Sequence, residues 1–299
     1  MPSLRLAANA KINLCLEVLR RRSDGYHELA TVFQSVTLAD ELLVEAREAP
    51  GITLAVAEGG APAGPGNLCW NAAEAYQRLR GWPAGVSIRL RKQIPMGGGL
   101  GGGSADAAAV LMALRELDPD PPALETLRRT AAKLGADVAF CLLGGTALGQ
   151  GRGEELTQLA PSPECWACLV KPEFAVSTAE AFGMLSPEDF TPGAKAQELG
   201  TLVAAEVPLA GWAPLVHNAF AGPLTRRWPV FGELKARLRE VGALAAEVSG
   251  SGSVVFGLFA DEQAAREAAE VMTRDGIWAR PVMAAARGSG TMERNGVGL

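Results

Sequence analysis

A run of glycine in the middle of the chain constrains its fold more than any other feature. Residues 97–103 read GGGLGGG, so glycine occupies six of seven positions. Before the run, residues 86–94 alternate apolar and polar side chains, which predicts a strand. After it, apolar residues recur at helical spacing, and Ser104 is a good N-cap for that helix. The pattern therefore predicts a strand, a glycine loop and a helix in succession.

Such a loop suits the binding of a phosphate group. Glycine loses more conformational freedom on folding than any other residue, so a run of six costs stability and needs a reason. The loop leaves backbone N–H groups free at the positive end of a helix, and an anion can approach them closely because Cβ atoms are absent. The alternative, a tight corner between strand and helix, needs one or two glycines rather than six.

The loop does not match the common nucleotide-binding loops. A dinucleotide-binding loop needs an acidic residue about 20 positions further on, at the end of a strand, where this chain has the turn sequence DPDPP. A Walker A loop ends in Gly-Lys-Ser or Gly-Lys-Thr, which the chain lacks. The protein-kinase signatures V-A-I-K, H-R-D and D-F-G are also missing from the sequence.

Length and charge limit the classes of protein to which the chain can belong. Its 299 residues suggest two domains or one large one, and a hydrophobic content of 48% fits a globular protein with a sizeable core. A net charge of −5 argues against general affinity for nucleic acid. No apolar stretch reaches the ~18 residues of a membrane span, and no signal-peptide core is visible. We expect a cytoplasmic protein with no nucleic-acid or membrane partner, either monomer or dimer.

The cysteines predict neither a disulfide framework nor a metal site. There are five of them, an odd number, and they are spread along the chain. Cys165 and Cys168 form a C-x-x-C pair, but a structural zinc needs a second pair of ligands, and His27 and His217 are the only histidines. A redox pair of the thioredoxin type opens a helix, whereas ECWACLVKP predicts a strand. We therefore expect buried thiols.

The order of the predicted elements indicates an α+β chain in two layers. Residues 41–57 predict two short strands. A softer stretch of sequence suggests a boundary between an N-terminal domain of residues 1–160 and a C-terminal domain of residues 161–287. Residues 288–299 lack periodicity and are predicted to form a mobile tail. Two such domains would enclose a cleft into which the glycine loop opens.

Three separated stretches resemble the motifs of one family, the GHMP kinases. PMGGGLGGGSADAA, at residues 95–108, resembles that family's glycine-rich phosphate loop. ANAKINLCLEV near the N-terminus and VSGSGSVVFGLF near the C-terminus resemble its first and third motifs, in the same order. The resemblance covers nearly the whole chain. It implies a two-domain α+β fold, with an N-terminal ribosomal-protein-S5-like α/β domain, a C-terminal ferredoxin-like α+β domain and the active site in the cleft between them.

Three details narrow the resemblance to one branch of the family. They are RRSDGYHEL, the doubled GGG of the loop, and GADVAF at residues 135–140. The branch uses ATP and Mg²⁺ to phosphorylate the 2-hydroxyl of a cytidine diphosphate methylerythritol, in the non-mevalonate route to isoprenoid precursors. The resemblance thus implies ATP and Mg²⁺ as cofactors and this small molecule as the partner.

The resemblance also implies that Lys11, in AKIN, and Asp137, in GADV, are catalytic. Asp137 matches the family's catalytic base, and Lys11 matches its catalytic lysine. A lysine beside a carboxylate favours the ionised form of both, which suits a base that accepts a proton and a cation that stabilises the transferring group. Taken alone, each residue has an ordinary structural reading, as a turn aspartate and a solvated strand lysine.

Two sets of binding residues follow from the same resemblance. The residues for the substrate are Asn13, Tyr26, His27, Thr178 and Phe182, of which the aromatic ones would line a cytosine pocket. The residues for ATP are Pro95, Met96, Gly97, Gly98, Gly99, Leu100, Gly101, Gly102, Gly103, Ser104 and, on the adenine side, Asn67. Asn67 is also a good N-cap for a helix that starts there. Ser104 or Asp106 could contribute to the Mg²⁺ site, but we expect phosphates and water to hold the ion largely unaided, because no acidic residue obviously completes its site.

Two alternatives stay open at this point. The chain could be a GHMP kinase for another small alcohol, against which Tyr26 and His27 argue. It could also be a nucleotide-binding regulator without catalysis, against which Lys11 and Asp137 argue. One departure from the family's pattern is that Ala219 follows Asn218, where the family often has an aspartate, and this puts a role for the segment in doubt.

Overall fold

Two β-sheets organise the chain, of which the computed structural model describes residues 2–81, 85–160 and 165–295. The strands are β1 (Ser3–Arg21), β2 (His27–Arg47), β3 (Ile52–Glu58), β4 (Gly85–Arg91), β5 (Thr146–Gln150), β6 (Glu155–Gln158), β7 (Trp166–Lys171), β8 (His217–Asn218), β9 (Ala245–Val248), β10 (Val255–Phe259), β11 (Trp278–Met283) and β12 (Ser289–Asn295). The larger sheet has the order β12-β1-β2-β4-β3, with β5 and β6 continuing from β2 and with β8 pairing with β1. The smaller sheet has the order β11-β7-β10-β9.

Helices cover both sheets. They are α1 (Leu68–Arg80), α2 (Gly102–Leu117), α3 (Leu124–Leu134), α4 (Ala136–Leu143), α5 (Thr178–Gly183), α6 (Ala194–Ala204), α7 (Leu209–Trp212), α8 (Ala221–Arg227), α9 (Val230–Glu240) and α10 (Glu262–Arg274), with 3₁₀ turns at Pro187–Asp189 and Ala213–Leu215. Helix α2 packs on β1 and β2, whereas α9 and α10 pack on the smaller sheet. The predicted helix start at Asn67 is confirmed, because its side chain caps α1 by accepting from Cys69 N at 2.9 Å.

Strands β1 and β2 form a long hairpin that carries part of the cleft described below. Their pairing shifts register between Asn9 and Lys11, between Asn13 and Cys15, and again near the hairpin end. The prediction of two short strands over residues 41–57 is partly wrong. The first of them is the end of β2, which runs unbroken from its start because it pairs with β1, β4 and β5 along its length.

Helix α2 begins inside the glycine run, so the prediction of Ser104 as its N-cap is wrong. The N-cap is Gly101, with a φ of 68°, and no side chain caps this end. Ser104 lies in the first turn of the helix. A left-handed backbone conformation favours glycine. The backbone of the loop therefore sets the start of the helix, and no side-chain hydroxyl caps it.

The prediction of a mobile tail over residues 288–299 is also wrong for most of its length. Strand β12 pairs antiparallel with β1, from Ser3 opposite Asn295 to Ala8 opposite Ser289. The free edge of β1 supplies backbone hydrogen bonds, which require no apolar pattern in the strand that they hold. Residues 296–299 lie outside the described residues.

Strands β8 and β12 bring the second half of the chain into the larger sheet. The division into residues 1–160 and 161–287 stays a prediction, since residues 161–164, at its boundary, lie outside the described residues. Over the ranges that the structure describes, none of the helices combines the length and apolar character that crossing a membrane requires.

Candidate active site

A cleft of about 700 Å³ is lined by residues from both halves of the chain. Asn67 is the one predicted site residue that does not line it. The predicted residues that do are Lys11, Asn13, Tyr26, His27, Pro95, Met96, Gly97, Gly98, Gly99, Leu100, Gly101, Gly102, Gly103, Ser104, Asp137, Thr178 and Phe182. The fold thus brings together residues that lie far apart in the sequence.

Lys11 and Asp137 face each other in this cleft. Lys11 lies on β1 between two register shifts, and such bulges re-aim side chains. Asp137 lies in the first turn of α4, where the positive end of a helix favours a carboxylate. Lys11 Nζ is 3.5 Å from Asp137 Oδ2, and the two side chains are 4% and 39% exposed. The carboxylate is therefore the member of the pair that is open to the cleft.

A chain of hydrogen bonds fixes the ammonium group of Lys11. It donates to Asn13 Oδ1 at 2.8 Å, and Asn13 Nδ2 donates to Thr31 Oγ1 at 2.8 Å. Thr31 Oγ1 in turn donates to the backbone oxygen of Cys15 at 2.7 Å. Because all these groups are buried and partnered, the ammonium is held in one position beside Asp137. Asn13 lies on the same face of β1 as Lys11, as the strand spacing predicts.

The glycine loop packs against residues 249–254 of the second half. Ser249 Oγ donates to the backbone oxygen of Gly99 at 3.0 Å, and Val254 N donates to that of Gly98 at 3.0 Å. A Cβ atom at Gly99 would lie 2.1 Å from the backbone oxygen of Ser249. Glycine is therefore required at this position by the close approach of two backbones, independently of any ligand.

Two other glycines of the loop make room for lysine side chains. A Cβ atom at Gly101 would lie 3.0 Å from Lys11 Cγ, and one at Gly102 would lie 2.9 Å from Ile94 Cγ2 and 3.2 Å from Lys92 Nζ. The first N–H groups of α2 have no partner within the helix. The positive end of α2 and the side chain of Lys11 thus lie at the loop, and the unpaired N–H groups of this helix end attract an anion.

Asn218 holds the segment against which the loop packs. Its Nδ2 donates to the backbone oxygens of Val248 and Gly250 at 2.8 Å each, and its Oδ1 accepts from Phe220 N at 2.8 Å. The segment in which Ala219 departs from the family's pattern therefore supports the glycine loop indirectly. Asn218 holds residues 249–254, and these residues contact the loop. Its buried alanine leaves these contacts intact.

A group of aromatic residues lines another part of the cleft. His27 stacks on Phe182 with ring centroids 4.8 Å apart, so no third ring fits between them. Tyr26 is 58% exposed. Burial, with a smaller effect of Arg21, lowers the pKa of His27, so its imidazole is neutral at neutral pH. A neutral imidazole offers one hydrogen-bond donor and one acceptor.

Arg152 completes this part of the cleft, and sequence analysis did not identify it. It lies in the turn between β5 and β6, with its guanidinium 5.0 Å from the ring centroid of Tyr26. Its Nε is 3.1 Å from Glu154, and the side chain is 42% exposed. An arginine in a glycine-rich turn carries no distinctive local signal, so only the fold could place it beside Tyr26.

Asn67 and Thr178 differ in how they relate to the cleft. Both polar atoms of the Asn67 side chain have protein partners, Cys69 N and the backbone oxygen of Pro62, and only the neighbouring Leu68 lines the cleft. Thr178, at the start of α5, lines the cleft with its Oγ1 3.1 Å from Ser251 Oγ. The structure therefore presents Asn67 as a helix cap and Thr178 as a surface of the site.

A buried cluster of three charged residues lies against the glycine loop, and sequence analysis missed it. Lys92 Nζ donates to the carboxylate of Asp40 and, at 2.8 Å, to Asp106 Oδ2. The other oxygen of Asp40 accepts from the backbone N–H groups of Gln93 and Ile94, where β4 gives way to the loop. These side chains are at most 5% exposed. The three residues lie on different elements, so no local pattern in the sequence connects them.

We expect the buried Asp106 to make the folded protein less stable as the pH rises, and replacing this residue tests the expectation. Burial and the nearby Asp40 raise its pKa from 3.8 to about 8, although Lys92 opposes the change. Between these values the folded state keeps a proton that the unfolded state releases, so the unfolding free energy falls with pH. We expect Asp106→Asn to raise that free energy by about 2–4 kcal/mol at pH 7 and by less at pH 5. Urea unfolding at both pH values measures this, and an equal difference at both would contradict it.

Neither the cysteines nor the carboxylates of the described residues form a metal site. Cys165 and Cys168 are buried, which raises the pKa of both thiols to about 12 and confirms the prediction of buried thiols. Among the described residues, no three His, Cys, Asp or Glu side chains lie together in a way that could hold a metal ion. These residues do not fit a magnesium site built by the protein alone.

Comparison with known proteins identifies the family. The GHMP kinases N terminal domain matches residues 67–145, and the GHMP kinases C terminal domain matches residues 221–277. The 4-diphosphocytidyl-2-C-methyl-D-erythritol kinase of Pelotomaculum thermopropionicum is 45% identical, over 88% of this chain and 91% of its own length. The protein of the same name from Moorella thermoacetica is also 45% identical, over 90% and 94% of the two chains.

Solved structures agree with these relatives. A crystal structure of 4-(cytidine 5'-diphospho)-2C-methyl-D-erythritol kinase superposes with a TM-score of 0.81 at 39% identity, over 94% of this chain and 99% of that one. Homoserine kinase from Cytophaga hutchinsonii shares the fold, with a TM-score of 0.75 at 22% identity, over 97% of each chain. The chain therefore belongs to the GHMP kinase family.

Proposed function

We propose that the chain transfers the γ-phosphoryl group of ATP to the 2-hydroxyl of 4-diphosphocytidyl-2-C-methyl-D-erythritol, giving the 2-phosphate and ADP in the non-mevalonate route to isoprenoid precursors. The observation that carries the proposal is the shared cleft, lined by the glycine loop, by Lys11 and Asp137, and by the aromatic group of Tyr26, His27 and Phe182. The names of relatives at 40–45% identity point to the same reaction. ATP use accompanies membership of this kinase family.

In the proposed mechanism, Asp137 accepts the proton of the attacking hydroxyl. Its exposed carboxylate can reach a substrate in the cleft, and the proton moves to it as the new O–P bond forms and the bond to ADP breaks. Lys11, fixed by Asn13, stabilises the charge on the transferring group. This division of labour fits phosphoryl transfer, which depends on positioning and charge stabilisation more than on covalent catalysis.

The start of α2 holds the phosphates of ATP in this proposal. The N–H groups from Gly102 to Ser104 are unpaired within the helix, and the aliphatic part of the Lys11 side chain lies beside Gly101. We propose that phosphate oxygens and water supply most ligands of Mg²⁺, because the described residues offer no cluster of carboxylates for it.

The aromatic group selects the cytidine of the substrate in this proposal. Because His27 already stacks on Phe182, the base would contact the free ring faces, while the neutral His27 donates to or accepts from its edge. We expect His27→Ala to raise KM for the cytidine substrate by about 10–100-fold and to leave KM for ATP nearly unchanged, since contacts to a base are worth about 1–3 kcal/mol. Steady-state kinetics with each substrate varied in turn measures this. An increase confined to the KM for ATP would move His27 to the nucleotide site.

Arg152 binds the diphosphate of the substrate in this proposal, because it is the guanidinium that lines the cleft beside Tyr26. We expect Arg152→Met to raise KM for the cytidine substrate by about tenfold, the loss of one partly exposed charge-assisted contact. Arg78→Met is the matched control, because Arg78 pairs with Glu74 on the surface of α1 just as Arg152 pairs with Glu154. Equal kinetics in the two variants would contradict the proposal.

An ADP-release assay with a panel of alcohols tests the proposed function. The panel contains 4-diphosphocytidyl-2-C-methyl-D-erythritol, homoserine and mevalonate, each with Mg-ATP, and ³¹P NMR identifies the position of the new phosphate. We expect turnover with the cytidine substrate alone and a monoester at its 2-position. Preferred turnover of another alcohol would establish a different GHMP kinase, and ATP binding without any turnover would support a regulator.

A further inference from the structure

The buried cluster of Asp40, Lys92 and Asp106 has an unusual charge balance. One ammonium group faces two carboxyl groups, and all three side chains are at most 5% exposed. If both carboxyls were ionised, the cluster would carry a net negative charge in a buried site, which is costly. Asp40 uses both oxygens to accept hydrogen bonds, from Lys92 and from two backbone N–H groups. Asp106 Oδ1, in contrast, is buried and has no hydrogen-bond partner within the described part of the chain.

The position of the cluster relates this balance to the phosphate loop. Lys92 lines the cleft, and its Nζ would lie 3.2 Å from a Cβ atom at Gly102, the first residue of α2. Asp106 belongs to the same helix, one turn after that residue. Asp40 fixes the backbone at Gln93 and Ile94, just before the loop. The cluster therefore touches the loop from both of its ends.

We propose that Asp40 and Asp106 are positioning residues for the phosphates of ATP, because they hold the Lys92 ammonium against the start of α2, and that this arrangement binds phosphate more tightly while Asp106 is uncharged. The inference rests on the proposed role of the glycine loop as the ATP phosphate site. An ionised Asp106 would cancel the charge of Lys92, already paired with Asp40, and would place a surplus negative charge beside an anion site.

The pKa values of the groups around Asp106 show which of them changes charge between pH 7 and pH 9.5. Burial raises its pKa to about 8, and the charge of Asp40 acts in the same direction. Facing it are Lys92, whose pKa is raised, Asp40 on β2, and the thiols of Cys69 on α1 and Cys141 on α4, whose pKa values are raised by burial. Among Asp106, Lys92, Cys69 and Cys141, only Asp106 has a pKa between 7 and 9.5.

The pH dependence of KM for ATP tests the proposal. At saturating cytidine substrate and constant ionic strength, we expect KM for ATP of the parent protein to rise about tenfold between pH 7 and pH 9.5, the effect of one added charge acting through the protein. In Asp106→Asn we expect this rise to fall below twofold. Asp118→Asn is the matched control, because the Asp118 side chain is also only 6% exposed, lies at the far end of α2 and is paired with Arg80. The Asp118→Asn variant should keep the tenfold rise in KM for ATP. If Asp106 had a merely structural role, Asp106→Asn would keep this rise as well.

Two outcomes would overturn the inference: an equal rise in KM for ATP in the parent protein and in Asp106→Asn, or no rise in the parent protein.

A measurement on the unaltered protein guards against a variant that fails to fold. With ¹³C-labelled aspartate, NMR should show one carboxyl that titrates above pH 7, with a midpoint that increases when ADP saturates the protein, since bound phosphate favours the neutral form. A midpoint unaffected by ADP would also overturn the inference. If Gly101→Val kept normal ATP affinity, the loop itself, and with it the proposed function, would be at fault.

Discussion

Asp137→Asn lowers kcat by about 10²–10⁴ and leaves KM for both substrates within a few-fold of the parent protein, if the carboxylate is the general base. Asparagine has nearly the same size and keeps an acceptor oxygen, but it cannot take a proton at neutral pH. The variant also removes the charge that faces Lys11 Nζ at 3.5 Å, which moves the expected loss toward the upper end of that range. Steady-state and single-turnover kinetics with both substrates measure the effect on chemistry separately from binding.

Lys11→Met and the double variant sharpen this prediction. We expect Lys11→Met to lose a similar factor, and the double variant to be little worse than either single one, because residues that act as a unit are not additive. Asp120→Asn is the matched control, because its carboxylate is 90% exposed and pairs with Arg80 away from the cleft. Near-normal kcat in Asp137→Asn would show that the carboxylate is only a residue of the first turn of α4. Additive losses in the double variant would show that Lys11 and Asp137 work independently.

The parts of the fold that could be predicted are those set by local pattern. The strand before the glycine loop, the helix after it and the cap at Asn67 follow from spacing and side-chain chemistry within a few residues. Strand β12 could not be predicted in this way, since pairing with the distant β1 holds it through backbone atoms. The pairing of Lys11 with Asp137 came from the resemblance to a family, because 125 intervening residues separate two ordinary side chains.

The glycine run shows where sequence reasoning stops. From the sequence, phosphate binding alone accounts for the six glycines. The structure adds a different reason at individual positions. Gly99 is required by the backbone of Ser249, Gly101 makes room for Lys11, and Gly102 makes room for Ile94 and Lys92. Those neighbours come from β1, from the end of β4 and from the far end of the chain. No local pattern contains them, so their contacts with the loop depend on the complete fold.

Gly101→Val lowers kcat/KM for ATP by about 10²–10³, with far-UV circular dichroism close to that of the parent protein. Gly101 has a φ of 68°, which a β-branched residue rarely adopts. Its added Cβ would lie 3.0 Å from Lys11 Cγ and would move the ammonium away from Asn13 and Asp137. Calorimetric titration with ATP and steady-state kinetics then measure binding and chemistry on the same folded variant.

Gly81→Val separates backbone strain from damage to the site. Gly81 ends α1 with a φ of 60°, and a Cβ atom there would meet nothing within 4 Å. Valine at this position therefore carries a similar conformational cost, about 1–2 kcal/mol of stability, without reaching the cleft. A loss of ATP affinity in Gly101→Val but not in Gly81→Val would assign the effect to the loop. Full ATP affinity in a folded Gly101→Val would mean that the loop is a structural corner between strand and helix, and that the phosphates bind elsewhere in the cleft.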